Sequence, residues 1–266
     1  MGGRMVSILP NTRCLHPWSC SVDTAVPFTH FNIQQGMKAY LGRSEVFIPE
    51  ADFFVDLTGA EQCELSLWPI GVAQPAEATE IAAKLSVLRG LLSECNGEYD
   101  LSPLVTEKND NLYSGIVRPR LEALHSAFVA LDRTAAAEAA ASIAGCGVGL
   151  TPSSDDLLLG YICAFIALSL ALERSREEVL ALTSALSAAA AERTNVISGA
   201  FLRQSGEGLA SADILSLLDS FFSGAPPQKL EQAGKRVLTY GSTSGADILT
   251  GIVLSLNSHL RGENIG

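Results

Sequence analysis

The sequence predicts an α+β protein: a small β-rich N-terminal unit, sheet or barrel, followed by an all-helical unit with two crossing central helices. Three observations carry this. Short β-like runs at hairpin spacing fill the first part of the chain. From Pro119 onward the chain is Ala/Leu-rich with helical periodicity. A ten-residue pattern occurs twice in that second part, each time at the start of an apolar run. At 266 residues and 47% hydrophobic, the chain can bury a sizeable core, as one large domain or two modest ones. The expected boundary gives a β-rich unit at 1–115 and a helical domain at 116–266.

The β-like runs are Phe28–Ile33, Met37–Leu41, Ser44–Ile48 and Phe53–Leu57, with Cys63–Trp68 alternating cleanly. Breaks at Gln35-Gly36, Gly42-Arg43 and Pro49 separate them, and Val55–Gly59 is placed to close a small sheet or barrel. Ala76–Cys95 reads as one helix and Asn96–Asp110 as loop. Helices are expected near 119–131, 134–144, 153–172, 175–205, 211–222, 227–239 and 244–260, with glycine or proline at most joints.

The net charge is −11, and no Lys/Arg cluster exceeds two neighbours. Nucleic acid and anionic membrane surfaces are therefore poor partners. The longest uncharged apolar run, Leu157–Leu172, is short for a membrane span and reads as a core helix. Met1–Pro10 carries neither a secretory apolar stretch nor a myristoylation Ser/Thr. The six cysteines form no Cys-x-x-Cys and are expected as reduced thiols in a cytoplasmic protein.

The duplicated pattern is Thr151–Gly160 and Ser242–Gly251. Ser153 matches Ser244, Asp156 matches Asp247, Leu157-Leu158 match Ile248-Leu249, and Gly160 matches Gly251. Gly145-Cys-Gly-Val-Gly149 precedes the first copy, its glycines allowing close backbone approach. Pro152 suits the first helical position, with Thr151 as cap; Ser242 to Ser244 cap the last helix. First-turn N–H groups lack internal partners and sit at the positive end of the helix dipole, which makes such termini anion sites. The bland alternative is that Ser, Thr and Asp are simply good caps, worth about 1 kcal/mol each. Two matched copies favour one composite site. Gly160 and Gly251 each cost roughly 1 kcal/mol against Ala in mid-helix, and a close crossing of the two helices would offset it.

The expected substrate contacts are Gly147, Gly149, Thr151, Ser153, Ser154, Ser242, Thr243, Ser244 and Gly245, with Asp156 and Asp247 as catalytic carboxylates. Thr194 and Ser198 share one helical face and join the cleft. Arg193 either supplies positive charge there or is a solvated surface arginine. Carboxylates beside an anion admit three explanations. A divalent cation such as Mg²⁺ bridges them, with Asp155, Asp156 and Asp247 as ligands; they bind an amide or ammonium group of the substrate; or they cap neighbouring backbone. No other cofactor is expected. There is no Gly-x-x-x-x-Gly-Lys-Ser/Thr loop, no Gly-x-Gly-x-x-Gly after a strand and no His-Glu-x-x-His. The four histidines, at 16, 30, 125 and 259, are too scattered for a zinc site or a Ser-His-Asp triad.

Leu150-Thr-Pro-Ser-x-Asp-Asp after Gly-x-Gly-x-Gly, with the later Gly241-x-Thr-Ser-Gly-Ala-Asp, resembles a bacterial family typified by the H-type subunit of allantoin-pathway oxamate carbamoyltransferase. The Thr194/Ser198 helix between the motifs has the same order. The resemblance covers roughly the last half of the chain. It implies a subunit that, with unrelated partner subunits, moves a carbamoyl group between oxalurate and phosphate, giving oxamate and carbamoyl phosphate. A non-catalytic metabolite-binding or scaffold subunit is the alternative, and a phosphoryl transferase without a phosphate loop a third.

Overall fold

A computed structural model describes residues 5–68, 70 and 78–262. Ala76 and Glu77 of the expected first helix, Met1 to Arg4, and the side chain of His259 lie outside the described residues. The chain forms two compact units, Val6–Glu64 and Leu65 onward, so the polypeptide parts well before residue 115.

The first unit holds two small sheets. Strands β1 (Ser7–Pro10) and β2 (Ser19–Val22) pair in parallel. Strands β3 (Tyr40–Leu41), β4 (Glu45–Ile48) and β5 (Phe53–Asp56) form an antiparallel sheet in that order. In β4 and β5 alternate residues are buried, so Val46, Ile48, Phe53 and Val55 make the core of this unit. Phe31 meets Phe53 edge-on at 4.9 Å. The sheet stays open, with β5 as an edge, rather than closing into a barrel. The run at 28–33 is not a strand; Phe28–His30 is a 3₁₀ turn that delivers Phe28 and Phe31 to this core. The parallel β1–β2 pair carries no alternation and was not legible in sequence.

The second unit is helical among the described residues: α1 (Ala78–Glu94), α2 (Leu112–Val129), α3 (Arg133–Ile143), α4 (Ser153–Ala171), α5 (Arg176–Ala191), α6 (Val196–Gly206), α7 (Ala212–Phe222), α8 (Pro227–Leu238) and α9 (Ser244–Gly262). The alternation at 63–68 yields only a bridge, Ser66 to Leu209. The single helix expected over 175–205 is two. Asn195 breaks it, because its side chain accepts the Ile197 and Ser198 N–H groups at 3.0 Å and starts α6 afresh. Helix α2 begins seven residues before the expected 119, capped by Asn111 in a reciprocal box with Ser114, and carries Pro119 inside it. The 96–110 loop is buried in part: Leu101 is fully buried, and Ser102–Leu104 form a 3₁₀ turn packed into the core.

Helix α4 is buried on every side, which is why its sequence is apolar all round. Among the described residues it alone is long and apolar enough to cross a membrane, and 83% of that stretch is buried inside the fold. Its main partner is α9. A Cβ on Gly160 would lie 2.0 Å from the Ile248 carbonyl oxygen, and one on Gly251 would lie 2.0 Å from that of Leu157. Leu157 and Ile248 are themselves matched positions of the repeat. Each glycine therefore admits the backbone of the other copy, and the two copies are related by an approximate twofold through the crossing. The glycines that cost helix propensity are the residues that let the helices touch. Gly160→Ala or Gly251→Ala is expected to lower stability by about 3 kcal/mol, since backbone overpacking outweighs the gain of about 1 kcal/mol in propensity. Urea denaturation with the midpoint compared to wild type measures it.

Candidate functional site

The crossing brings the two helix starts together. The Thr151 hydroxyl lies 3.1 Å from that of Ser244 and donates to Asp156 Oδ2 at 2.8 Å. Ser244 also steadies the Asp156 carboxylate, so the second copy's serine serves the first copy's aspartate, while Ser153 lies near the carboxyl of Asp247. Thr151 thus does not cap α4; Pro152 stands at that position without a side-chain cap.

Each carboxylate of the first copy has a distinct environment. Asp155 is 1% exposed. Its Oδ1 accepts the Gly145 N–H at 2.7 Å; its Oδ2 accepts the hydroxyls of Thr194 and of Ser198, the latter at 2.7 Å. The carboxylate pins the glycine loop and the start of α6 to the start of α4. The loop wraps back tightly. Cys146 N–H donates to Ser154 Oγ at 2.8 Å, and Ser154 N–H donates to the Cys146 carbonyl at 2.9 Å. Gly147, at φ +132°, has no room for a Cβ, which would sit 2.3 Å from Ser153 N. Gly145 (φ +81°) is pressed against the Arg193 carbonyl, and Gly149 adopts φ +97°. The close approach these glycines permit is to the protein's own backbone. Arg193 itself is exposed.

Asp247 has no exposed surface. Its Oδ1 accepts the Leu101 N–H at 2.6 Å. Its Oδ2 is buried and receives no hydrogen bond of good geometry, the nearby Ser153 hydroxyl pointing at the Tyr99 carbonyl at 3.4 Å. Leu101 is held in place by Asp100, whose oxygens accept Gly97 and Ser102 N–H groups at 2.9 Å. Asn111 ties the same loop down through the Gly97 and Asp100 carbonyls. These partners were not legible beforehand; a turn-forming Asp100 beside an apolar Leu101 inside a loop was the available signal.

Burial dominates the electrostatics of the aspartate pair. Desolvation raises Asp156 to about 7 and Asp247 to about 8, against bonds from Thr151 and Ser244 in the first case and Leu101 and Ser153 in the second. Among the described residues no set of three or more His, Cys, Asp or Glu side chains is grouped to hold a metal ion. Asp155 is committed to three donors within the fold.

Over the start of α9 lies an open hollow of about 320 Å³. Ser242, Thr243 and Ala246 form one wall, Tyr99 and Asp100 another, and Val148 of the glycine loop a third. Cys95 and Asn96 also line it, and Lys108 donates to the Cys95 carbonyl. Gly245 N–H donates to the Tyr240 carbonyl and Asp247 N–H to that of Thr243. A larger hollow, about 460 Å³, is lined by residues at and just before the starts of α3 and α5 and includes no motif residue.

Residues 143–256 match the family model described as oxamate carbamoyltransferase subunit AllH. Over this stretch, less than half of its length, the chain is similar to that family. The matched region runs from the end of α3 through both motif copies to late α9, so it contains the glycine loop, the crossing and the α6 cap. Asp100 and Leu101 lie outside it. No curated protein and no solved structure matches the chain.

Asp155→Ala strands three donors in a buried place, and a loss on the order of 3 kcal/mol or more is expected in urea denaturation. Thr194→Val and Ser198→Ala should each cost about 1 kcal/mol. The Asp156–Asp247 pair imposes a pH dependence of opposite sign to that of ordinary paired carboxylates. Folded, these groups keep their protons to about 7 and 8; unfolded, they release them near 3.8. Their contribution is fully present below the unfolded value, declines as pH rises, and is gone above the folded values. Asp247→Asn should therefore flatten the fall in melting temperature between those limits. A variant whose slope equals that of wild type would contradict this.

Proposed function

We propose that the chain is a subunit of a carbamoyl-transfer enzyme of the oxamate carbamoyltransferase type, and that it takes a small anionic substrate in the hollow at the start of α9. Oxalurate, oxamate and carbamoyl phosphate are the candidate ligands. The observation that carries this reading is the inequality of the two motif copies. In the first, Asp155 and the glycine loop occupy the helix start. In the second, the matched residue is Ala246, which lines the hollow. Where the first copy has its own carboxylate, the second has space for one from outside.

The chemistry of the walls agrees. Ser242 and Thr243 offer hydroxyl donors, and the N-terminal end of α9 offers a positive dipole. The two carboxyls behind the wall, pushed toward their neutral forms, repel an anion far less than ionised ones would. Asp247, whose Oδ2 lacks a partner, is suited to accept a hydrogen bond when ionised and to donate one when protonated. Fixed donors of this kind act where charge develops during acyl transfer. Partner subunits would supply the remaining groups.

A scaffold reading has one observation in its favour: Ser154, Asp155, Thr194 and Ser198 are all satisfied within the fold. Calorimetric titration of the chain with carbamoyl phosphate, oxamate and oxalurate separates the readings. Binding of at least one, weakened about tenfold by Ala246→Asp, is expected from the anion site, since the new carboxylate refills and recharges the hollow. No heat from any of them with a folded sample leaves the scaffold reading standing.

A further inference from the structure

The β3–β5 sheet, in a part of the chain outside the matched stretch, buries one face in the core of its unit. Its other face carries two cross-strand rows. Tyr40 stands opposite Phe47 and Phe47 opposite Phe54, so an aromatic row crosses all three strands. These side chains are 56%, 37% and 56% exposed, and the Phe47 and Phe54 rings meet edge-on at 6.4 Å. Two residues along the same face, Glu45 stands opposite Asp56, both exposed. Like charges directly opposite destabilise a sheet. The ladder sharpens the conflict. Leu57 N–H donates to the Ser44 carbonyl at 2.7 Å, so by antiparallel alternation Val55 and Phe53 also bond to β4, and Glu45–Asp56 falls in the closer, non-bonded kind of pair. Bonds from the Thr58 hydroxyl and N–H hold Asp56 below the usual carboxylate range, so it stays charged. Among the described residues no Lys or Arg pairs with either acid. The same alternation turns the main-chain N–H and C=O groups of Phe54 and Asp56 away from β4, to the side where no described strand pairs with β5.

We propose that the β5 edge takes an extended segment of a partner protein, alternately basic and apolar, as a fourth strand of this sheet. The outward main-chain groups of Phe54 and Asp56 supply the ladder, as in strand addition to any open edge. The period of two then assigns the side chains. On the outer face, one basic residue of the segment comes beside Asp56, within reach of Glu45, and relieves the like-charge pair. The next basic residue on that face lies against the Phe54 ring. Arginine suits both places, since its guanidinium pairs with carboxylates and stacks on aromatic faces. The apolar residues between them face inward and extend the buried row of Val46 and Val55. A second copy of this chain is a poor occupant, because Val6–Glu64 carries seven acidic side chains against three basic ones. The surface stands whether or not an anion occupies the hollow at the start of α9.

A blocked synthetic peptide of alternating arginine and valine is the probe, titrated into the intact chain at low salt with the backbone amides followed by NMR. Saturable binding is expected, with the Phe54 and Asp56 N–H groups gaining about tenfold or more in protection from hydrogen exchange. Added salt should weaken it. The double variant Glu45→Lys, Asp56→Lys changes only exposed positions; it should bind this peptide about tenfold or more weakly and prefer one of alternating glutamate and valine. No binding by the folded chain at about 1 mM peptide overturns the proposal. So does equal binding of the two peptides by wild type, which removes the charge complementarity, or binding without protection of Phe54 and Asp56, which removes the edge. Full protection of those two N–H groups before any peptide is added overturns it as well, since a second copy or another part of this chain then covers β5.

Discussion

The contact on which the rest depends is the backbone-to-backbone crossing of α4 and α9. Two glycines in matched positions each accept the carbonyl-bearing turn of the other helix, at a distance no side chain would allow. This fixes the axial register of both helices. With that register set, Thr151 and Ser244 meet, Ser244 reaches across to Asp156, and both helix starts are carried to one end of the bundle. A slip of one turn at the crossing would separate all of these groups.

Around this frame the two copies have diverged in one consequential place. Position 155 carries a carboxylate and position 246 a methyl group. The carboxylate gathers the glycine loop and the start of α6, turning the first helix start into a closed structural joint. The methyl group leaves the second start open beneath a hollow. A duplicated motif therefore divides its labour: one copy holds the architecture, and the other presents it. Such an arrangement suits a binding site, because a site is as well preorganised as the joint behind it.

Much of this was legible in sequence because it rests on short-range patterns. The crossing followed from Gly160 and Gly251 at equal distance after Ser153 and Ser244, and the all-round apolarity of α4 marked it as the central helix. Thr194 and Ser198 come together, but not on one helical face: Thr194 lies in the turn before the Asn195 cap and Ser198 in the first turn of α6. Their shared partner, Asp155, was not legible, because its third donor comes from Gly145 through a loop whose path no periodicity encodes. The same limit hid Leu101. A backbone N–H has no sequence signature, and its partnership with Asp247 spans 146 positions. The break at Asn195 was missed for a different reason: helix propensity is high on both sides, and one side chain competing for two N–H groups overrode it.

The apparent conflict in the motif, acids at helix starts whose dipole favours anions, resolves once burial is weighed against charge. A surface carboxylate at a helix start would favour the dipole and repel an anionic ligand. Withdrawn into a dry crossing with only neutral donors, the same group gains more by keeping its proton than by ionising, because desolvation outweighs the few hydrogen bonds available. The aspartates then contribute shape and a titratable hydrogen bond rather than negative charge.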